Sequence, residues 1–303
     1  MTGVITTSTI PKALWPGMHA FWGRNYSEHP MEWKQVFDEE SSSKAYEEDQ
    51  ELTGFGFAAV KDQGSAIAYD SETGGPTKRY VHVVYGLGFV VTKEEMEDNQ
   101  YVQNSKRRTQ ALAFSMRQTE EVVAANILNR AFNNSYTGGD GKEFLATDHP
   151  TVNGTQSNEL PTAADLSEAS IEDLGIQIMQ ARNSRGHRIA VMPRRLIIPT
   201  NLAFDAERIV KSSRQSGTAN NDLNAIKSMG MFPDGITINH YLTDVDAWFV
   251  QTNVPNGLIR FTRRATEFGK DNDFDTENVK AKATVRFSVG WSDWRCLYGS
   301  PGA

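Results

Sequence analysis

The chain of 303 residues contains a single cysteine, Cys296, so no internal disulfide can form. Cys296 stands among Trp291, Trp294 and Tyr298 in a strand-like aromatic pattern, which marks it as a buried structural thiol. Stability must come from packing within the chain or against partners. Long hydrophobic runs are also missing. The longest nearly continuous apolar stretch, Val83 to Val91, is about half the ~18 residues that a spanning helix needs, so no membrane partner is expected. The first ten residues have neither a basic segment nor a sustained apolar one, and a cytosolic protein without a secretory leader is expected. Excess positive charge is absent too: 31 Lys and Arg face 38 Asp and Glu, a net charge of -7. That balance argues against a dedicated DNA reader, whose affinity rests on neutralising phosphates. The basic clusters Lys106-Arg107-Arg108, Arg194-Arg195 and Arg263-Arg264 lie beside acidic or apolar residues and read as solvated faces or interface ion pairs.

Catalytic and ligand-binding patterns are equally scarce. Gly54-Phe-Gly-Phe-Ala-Ala59 has the letters of a dinucleotide fingerprint, but no buried strand leads into it and no helix opens after it. Gly138-Gly-Asp-Gly-Lys142 resembles part of a phosphate loop, yet Tyr136 stands where the first glycine belongs and Glu143 replaces the Ser or Thr that would hold magnesium. Asp271-Asn-Asp-Phe-Asp275 spaces carboxylates like a calcium loop, but Thr276 replaces the turn glycine and Lys282 the bidentate Glu, so it reads as an acidic surface turn. The six histidines show no metal-ligand spacing. Asp148 and His149 are adjacent and supply two members of a hydrolase triad, but no Gly-x-Ser-x-Gly elbow accompanies them. The expectation is therefore a non-enzyme with no catalytic, cofactor or metal site, the hydrolase built on His149 and Asp148 being the alternative from another class.

What is present is a mixed α+β pattern. Residues 1–50 carry Trp15, Trp22 and Trp33 without steady period, with a short helix expected around Met31 to Phe37, and read as an arm that packs on something else. Residues 51–92 read as an extended hairpin: Gly54 to Val60 runs out and Tyr80 to Val91 runs back, with Val81, Val83, Tyr85, Leu87, Phe89 and Val91 alternating onto one face and a turn-rich tip over Asp70 to Arg79. Thr92-Lys-Glu-Glu95 has capping-box form, and no Pro or Gly follows until Gly138, so one helix of about 40 residues is expected. A second helix is expected from Ser167 to Arg182, started by Ser170 and Asp173, with Ile171, Leu174, Ile178 and Met179 buried. Strands are expected at Arg188 to Met192, Leu196 to Ile198, Ile236 to Leu242, Ala247 to Gln251, Leu258 to Thr262, Ala283 to Val289 and Asp293 to Tyr298. A short helix is expected at Leu202 to Lys211, and a mobile polar loop at Ser212 to Asn224.

An arm, an over-long hairpin and an over-long helix each leave apolar or backbone groups uncovered in a lone chain, which points to a subunit whose extensions complete the cores of its neighbours. The sequence resembles the Mu-like major head (capsid) proteins of tailed phages. The resemblance rests on Phe144-Leu-Ala-Thr-Asp-His-Pro150 with Gly154-Thr-Gln-Ser-Asn158, then Gly186-His-Arg-Ile-Ala-Val-Met-Pro193 and Leu196-Ile-Ile-Pro199. Asn239-His-Tyr-Leu-Thr-Asp244 with Ala247-Trp-Phe249, and Phe287-Ser-Val-Gly-Trp-Ser-Asp-Trp-Arg295, complete the ordered series. It implies the Hong-Kong-ninety-seven-type shell fold: arm 1–50, extended loop 51–92, peripheral domain 93–186 with a spine helix, axial domain 187–257, and a return to the peripheral domain over 258–303. It further implies self-assembly into hexamers and pentamers of an icosahedral head enclosing double-stranded DNA, with scaffold, portal and decoration proteins as partners and only non-specific contact with DNA. The location would be the virion, and the host cytoplasm during assembly. An encapsulin-type nanocompartment shell is the alternative within the same architecture. Some relatives cross-link subunits through a loop lysine; Lys61 and Lys78 lie in the loop, but no such site is assigned. Mild overall acidity suits a wall that contains DNA without reading it.

Overall fold

The computed structural model describes residues 22–27, 30–94, 101–215, 222–273 and 277–303, with 101–104 as backbone only. Two four-stranded sheets organise them. The first runs in the order β1 (Asp38–Ser41), β10 (Leu258–Asn272), β11 (Val279–Trp291), β4 (Val83–Val91). Along β11 every second residue, Val279, Ala281, Ala283, Val285 and Phe287, is buried, while Lys280 and Lys282 face solvent. This two-residue period creates one apolar face. The long helix α1 (Tyr101–Asn129) covers that face with Leu112, Ala113 and Met116.

The second sheet, ordered β12 (Leu297–Ser300), β9 (Trp248–Thr252), β7 (Pro193–Pro199), β8 (Ile236–Asn239), is buried on both sides. Ile197, Phe249 and Leu297 face a core with Leu128, Phe144, Leu145, Trp33 and Trp294. Leu196, Ile198, Trp248, Val250 and Tyr298 face the opposite core. That second core contains the stripe Ile171, Leu174 and Ile178 of α2 (Glu168–Met179), with Ala206 of α3 (Ala203–Lys211) and Ile226 of α4 (Ala225–Met229). Double-sided burial explains why these strands read as continuous apolar runs instead of alternating ones.

Several expectations are corrected. The hairpin does not pair Gly54–Val60 with Tyr80–Val91. Its ribbon is β2 (Tyr46–Leu52) against β3 (Gly74–Val81), and residues 53–73 between them form no strand. The polar run before residue 51 supplies one strand because a two-stranded ribbon exposed on both faces needs no apolar alternation. The run continuing to Val91 is a separate strand that pairs with β11, and its expected inward face is only partly covered: Val91 is buried, Tyr85 and Phe89 pack on the core, and Val81, Val83 and Leu87 are exposed.

The long helix ends at Asn129, well short of Gly138. Its last turn tightens through the Ala131 N–H to the Leu128 carbonyl, and the Asn129 side chain bonds the Tyr241 carbonyl and the Thr243 N–H. Asn133 then takes the Ser135 N–H in a local turn. Side chains of this type compete with the helical ladder without any Pro or Gly. Part of the expected helix start, including Glu95, lies outside the described residues, as do Trp15, 216–221 of the polar loop and 274–276 of the acidic turn.

In α2, Ser167 is the N-cap and forms the capping box with Ser170, one turn ahead of the expected signal. Met179 is exposed. Arg188 to Met192 holds one isolated bridge and no strand, and Asp293 to Tyr298 opens as a 3-10 turn over Trp294–Cys296 before β12. The expected helix after Pro30 is a 3-10 turn at Trp33–Gln35. β10 and β11 are much longer than expected, because the polar outer face of their hairpin hides the strand period.

Candidate assembly surface

Of the three extensions expected to lean on neighbouring copies, the arm and the hairpin loop differ. In the arm, residues 22–27 are helical and Trp22 lies flat on Phe268 with ring centres 5.0 Å apart. Trp33 is buried in the core beneath the second sheet. Trp33 and Tyr26 meet charge. The Arg260 guanidinium lies 3.9 Å from the Trp33 ring and that of Arg117 lies 3.8 Å from Tyr26. Arg117 and Arg260 are buried and flank the equally buried Glu120, at 3.6 and 2.9 Å. Glu120 also accepts hydrogen bonds from the hydroxyls of Tyr26 and Thr266. Burial first, and Glu120 next, push the Tyr26 phenol up to about 12, so it stays a donor.

One residue along α1, Glu121 accepts the backbone N–H groups of Glu32 and Trp33 at 3.1 and 3.0 Å. Burial pushes its carboxyl up to about 7 in spite of these bonds. Glu32 in turn takes the backbone N–H and the ring Nδ1 of His240. The described arm is thus fastened to α1, β10 and the end of β8 of its own chain. For Trp22 and Trp33 this corrects the expectation that the arm's tryptophans find burial only on sister copies. The sequence did carry a signal: Met116, Glu120 and Ala124 are spaced four apart, which sets Glu120 on the core side of the helix.

Residues 53–73 behave differently. Phe55, Phe57, Ile67 and Tyr69 are exposed, and Val60 and Tyr69 are each 95% accessible. The loop touches the body at few points. Asp70 pairs with Arg185 at 2.6 Å and accepts the Gly56 N–H at 2.7 Å, and the Phe57 ring meets His187 at 4.0 Å. At its base Arg295, itself buried, holds Glu51 and Asp293, both at 3.1 Å. A cluster of exposed apolar side chains on one excursion is the mark of a protein-binding surface.

The expected chemical candidates separate cleanly. His149 is fully buried and stacked on Trp294 at 4.3 Å. Its Nδ1 meets Asp140 at 2.6 Å and its Nε2 meets the Asn158 Oδ1 at 3.0 Å. The Asn158 amide donates to the carbonyls of Phe144, Trp294 and Leu297 while its oxygen accepts from Ala146 N–H. Both imidazole nitrogens are therefore consumed in tying three segments together. Asp148, next in sequence, is exposed and pairs with Lys142. The proposed triad members do not meet, and no substrate reaches the ring.

Gly138-Gly-Asp-Gly-Lys142 is a packing loop. A Cβ on Gly139 would lie 2.8 Å from the Thr77 carbonyl of β3, so only glycine lets the ribbon approach. There Lys78 lies 4.5 Å over the Trp291 ring and donates to the Thr137 carbonyl, and burial lowers its ammonium pKa. Asp273 pairs with Lys280 across the β10–β11 turn. Cys296 is buried, and burial pushes its thiol well up from the usual range. Among the described residues no group of three or more His, Cys, Asp or Glu could hold a metal ion, and no helix is long and apolar enough to cross a membrane.

Comparison with solved structures places this architecture among shell-forming proteins. A virus-like particle from Pyrococcus furiosus matches with a TM-score of 0.51 at 11% identity, over 93% of this chain and 97% of that one. The procapsid of bacteriophage JBD30 matches at 0.52 and 14% identity, over 98% of this chain and 76% of that one. The capsid of an empty GTA particle gives 0.53 and 10%, over 90% and 89%. The fold is thus the α+β fold of tailed-phage capsids. A family model described as phage capsid protein matches residues 75–300, about three quarters of the chain, and the chain belongs to that family. It is a structural protein of the shell and not an enzyme. No curated protein matches the sequence.

Proposed function

We propose that the chain is the major head protein of a Mu-like tailed phage, assembling through hexamers and pentamers into an icosahedral shell around double-stranded DNA. The observation that carries this reading is the loop 53–73: five large apolar side chains stand in water on a chain of the capsid family in which Trp22 and Trp33 of the arm are already buried. Burying them on a sister copy supplies the association energy, at roughly 25 cal/mol per Å² of apolar surface. The division proposed is arm 1–50, extended loop 51–92, peripheral domain 93–186 with 258–303, and axial domain 187–257. Scaffold, portal and decoration proteins are the proposed further partners, the virion the final location and the host cytoplasm the place of assembly.

Negative-stain microscopy of the concentrated, purified protein tests the reading. Closed shells are expected. A protein that stays a monodisperse monomer across salt and scaffold conditions overturns it. The encapsulin-type alternative shares the fold and is separated by what the particles enclose, nucleic acid or cargo protein.

A further inference from the structure

The first sheet ends on two edges with opposite character. β1 is four residues long, Asp38-Glu-Glu-Ser41, and all four are exposed. Short, charged edges of this kind resist pairing with another chain. β4 at the other edge is nine residues long, and no Lys, Arg, Asp, Glu or Pro occurs between Arg79 and Lys93. Its partner on one side is β11, and among the described residues no strand pairs with its other side. Val83, Val84, Leu87 and Val90 are each about half exposed, at 48, 54, 50 and 49%. The free edge of β12 in the second sheet, by contrast, is covered by Asn158 to Leu160 through bonds to Gly299.

The sequence of β4 is symmetric about its centre: Val83-Val-Tyr-Gly-Leu87-Gly-Phe-Val-Val91 reads the same in both directions, aromatic matching aromatic at Tyr85 and Phe89. Gly88 already has a reason within the chain, since a Cβ there would lie 2.6 Å from the Ala281 carbonyl. The weight rests on Leu87 at the centre and on Val84 and Val90 on the outer face. A two-fold contact is self-complementary, so a strand that pairs with its own copy must present like to like about the axis. We propose that β4 is such an interface: the β4 strands of two copies pair antiparallel about Leu87 and join two four-stranded sheets into one of eight. Leu87 then faces Leu87, Val84 faces Val90 and Tyr85 faces Phe89, with no charge opposed to a like charge. The occupant is a second copy of this chain, so the inference rests on the shell reading above and adds a specific contact to it.

Cysteine pairing reads the register directly, because residues opposed in an antiparallel pair have Cα atoms ~4.5–5.5 Å apart, within reach of a disulfide. Full-length Leu87→Cys, oxidised in air with copper–phenanthroline, is expected to move most of the chain to a dimer on a non-reducing gel. Wild type, whose only cysteine is buried, is expected to stay monomeric on that gel. Val84→Cys alone is expected to give no dimer, since position 84 of the second copy lies about 20 Å away. Val84→Cys combined with Val90→Cys restores it. Leu87→Lys and Leu87→Glu should each lose the contact, and an equimolar mixture should regain it, which a misfolded variant would not do. Shells that form without the disulfide at position 87 overturn the edge pairing and leave the shell reading standing. Cross-linked dimers that never close into shells keep the pairing and overturn the shell reading. A dimer from Val84→Cys alone as abundant as from Leu87→Cys overturns the register.

Discussion

The arm and the extended loop look alike as sequence, each an irregular stretch holding several aromatic residues, yet the described part of the arm belongs to the body and the loop stands off it. The difference lies in what the body offers. The arm meets three prepared seats: the Arg117 guanidinium for Tyr26, that of Arg260 for Trp33, and the Phe268 ring for Trp22. The loop meets His187 and Arg185 near its base and nothing at Val60 or Tyr69. Aromatic content signals that burial is needed somewhere. Whether it is found in the same chain depends on the receptor, and here the receptor is a pair of buried cations balanced by Glu120.

Substitution of Trp33 by Ala tests the arm's side of this contrast most severely. Loss of about 3–5 kcal/mol in denaturant unfolding is expected, from the vacated volume and from the uncovered Arg260. A change under about 1 kcal/mol would mean that the arm is an appendage after all. Next in size is His149→Ala, which leaves Asp140 and the Asn158 oxygen short of a buried donor. About 2–3 kcal/mol should be lost in thermal unfolding. The effect is on stability alone, and a hydrolytic activity that vanished with this substitution would contradict the geometry.

Smaller is the pH dependence of the arm clamp. Because burial raises the Glu121 carboxyl to about 7, both folded and unfolded chains hold its proton below the ordinary carboxylate range. As pH climbs through about 4.5 to 7 the unfolded chain releases the proton first, so this group's contribution to stability is present at low pH and lost on approaching neutrality. Unscreened, that shift corresponds to about 2.5 kcal/mol between pH 5 and pH 8. With solvent screening about 1 kcal/mol remains, so wild type should lose about 2–4 °C of unfolding midpoint relative to Glu121→Gln over that range. A difference that stays constant across that range removes Glu121 as the source. Least of all in stability is the double substitution Val60→Ser and Tyr69→Ser, expected to stay within about 0.5 kcal/mol of wild type. Sedimentation should nevertheless show assembly sharply reduced, and full assembly by this variant would take the loop out of the interface.

Much of the framework was legible from residue order. The buried stripe Ile171, Leu174 and Ile178, the strand around Leu196 to Ile198, the helix up to Lys211 and the buried Cys296 all follow from local period and neighbours. The ribbon was misplaced because β2 is polar on both faces and carries no alternation to find. The end of α1 was missed because asparagine side chains, not Pro or Gly, close it.

By itself the sequence determined which segments are apolar and with what period, because secondary structure imposes that period locally. Only the tertiary structure decided what each segment lies against. Glu120 and Arg260 are 140 positions apart, and His149 takes its proton partner from Asp140 and not from its neighbour Asp148. Contacts closed over such distances depend on how whole elements pack, and no local pattern along the chain encodes them.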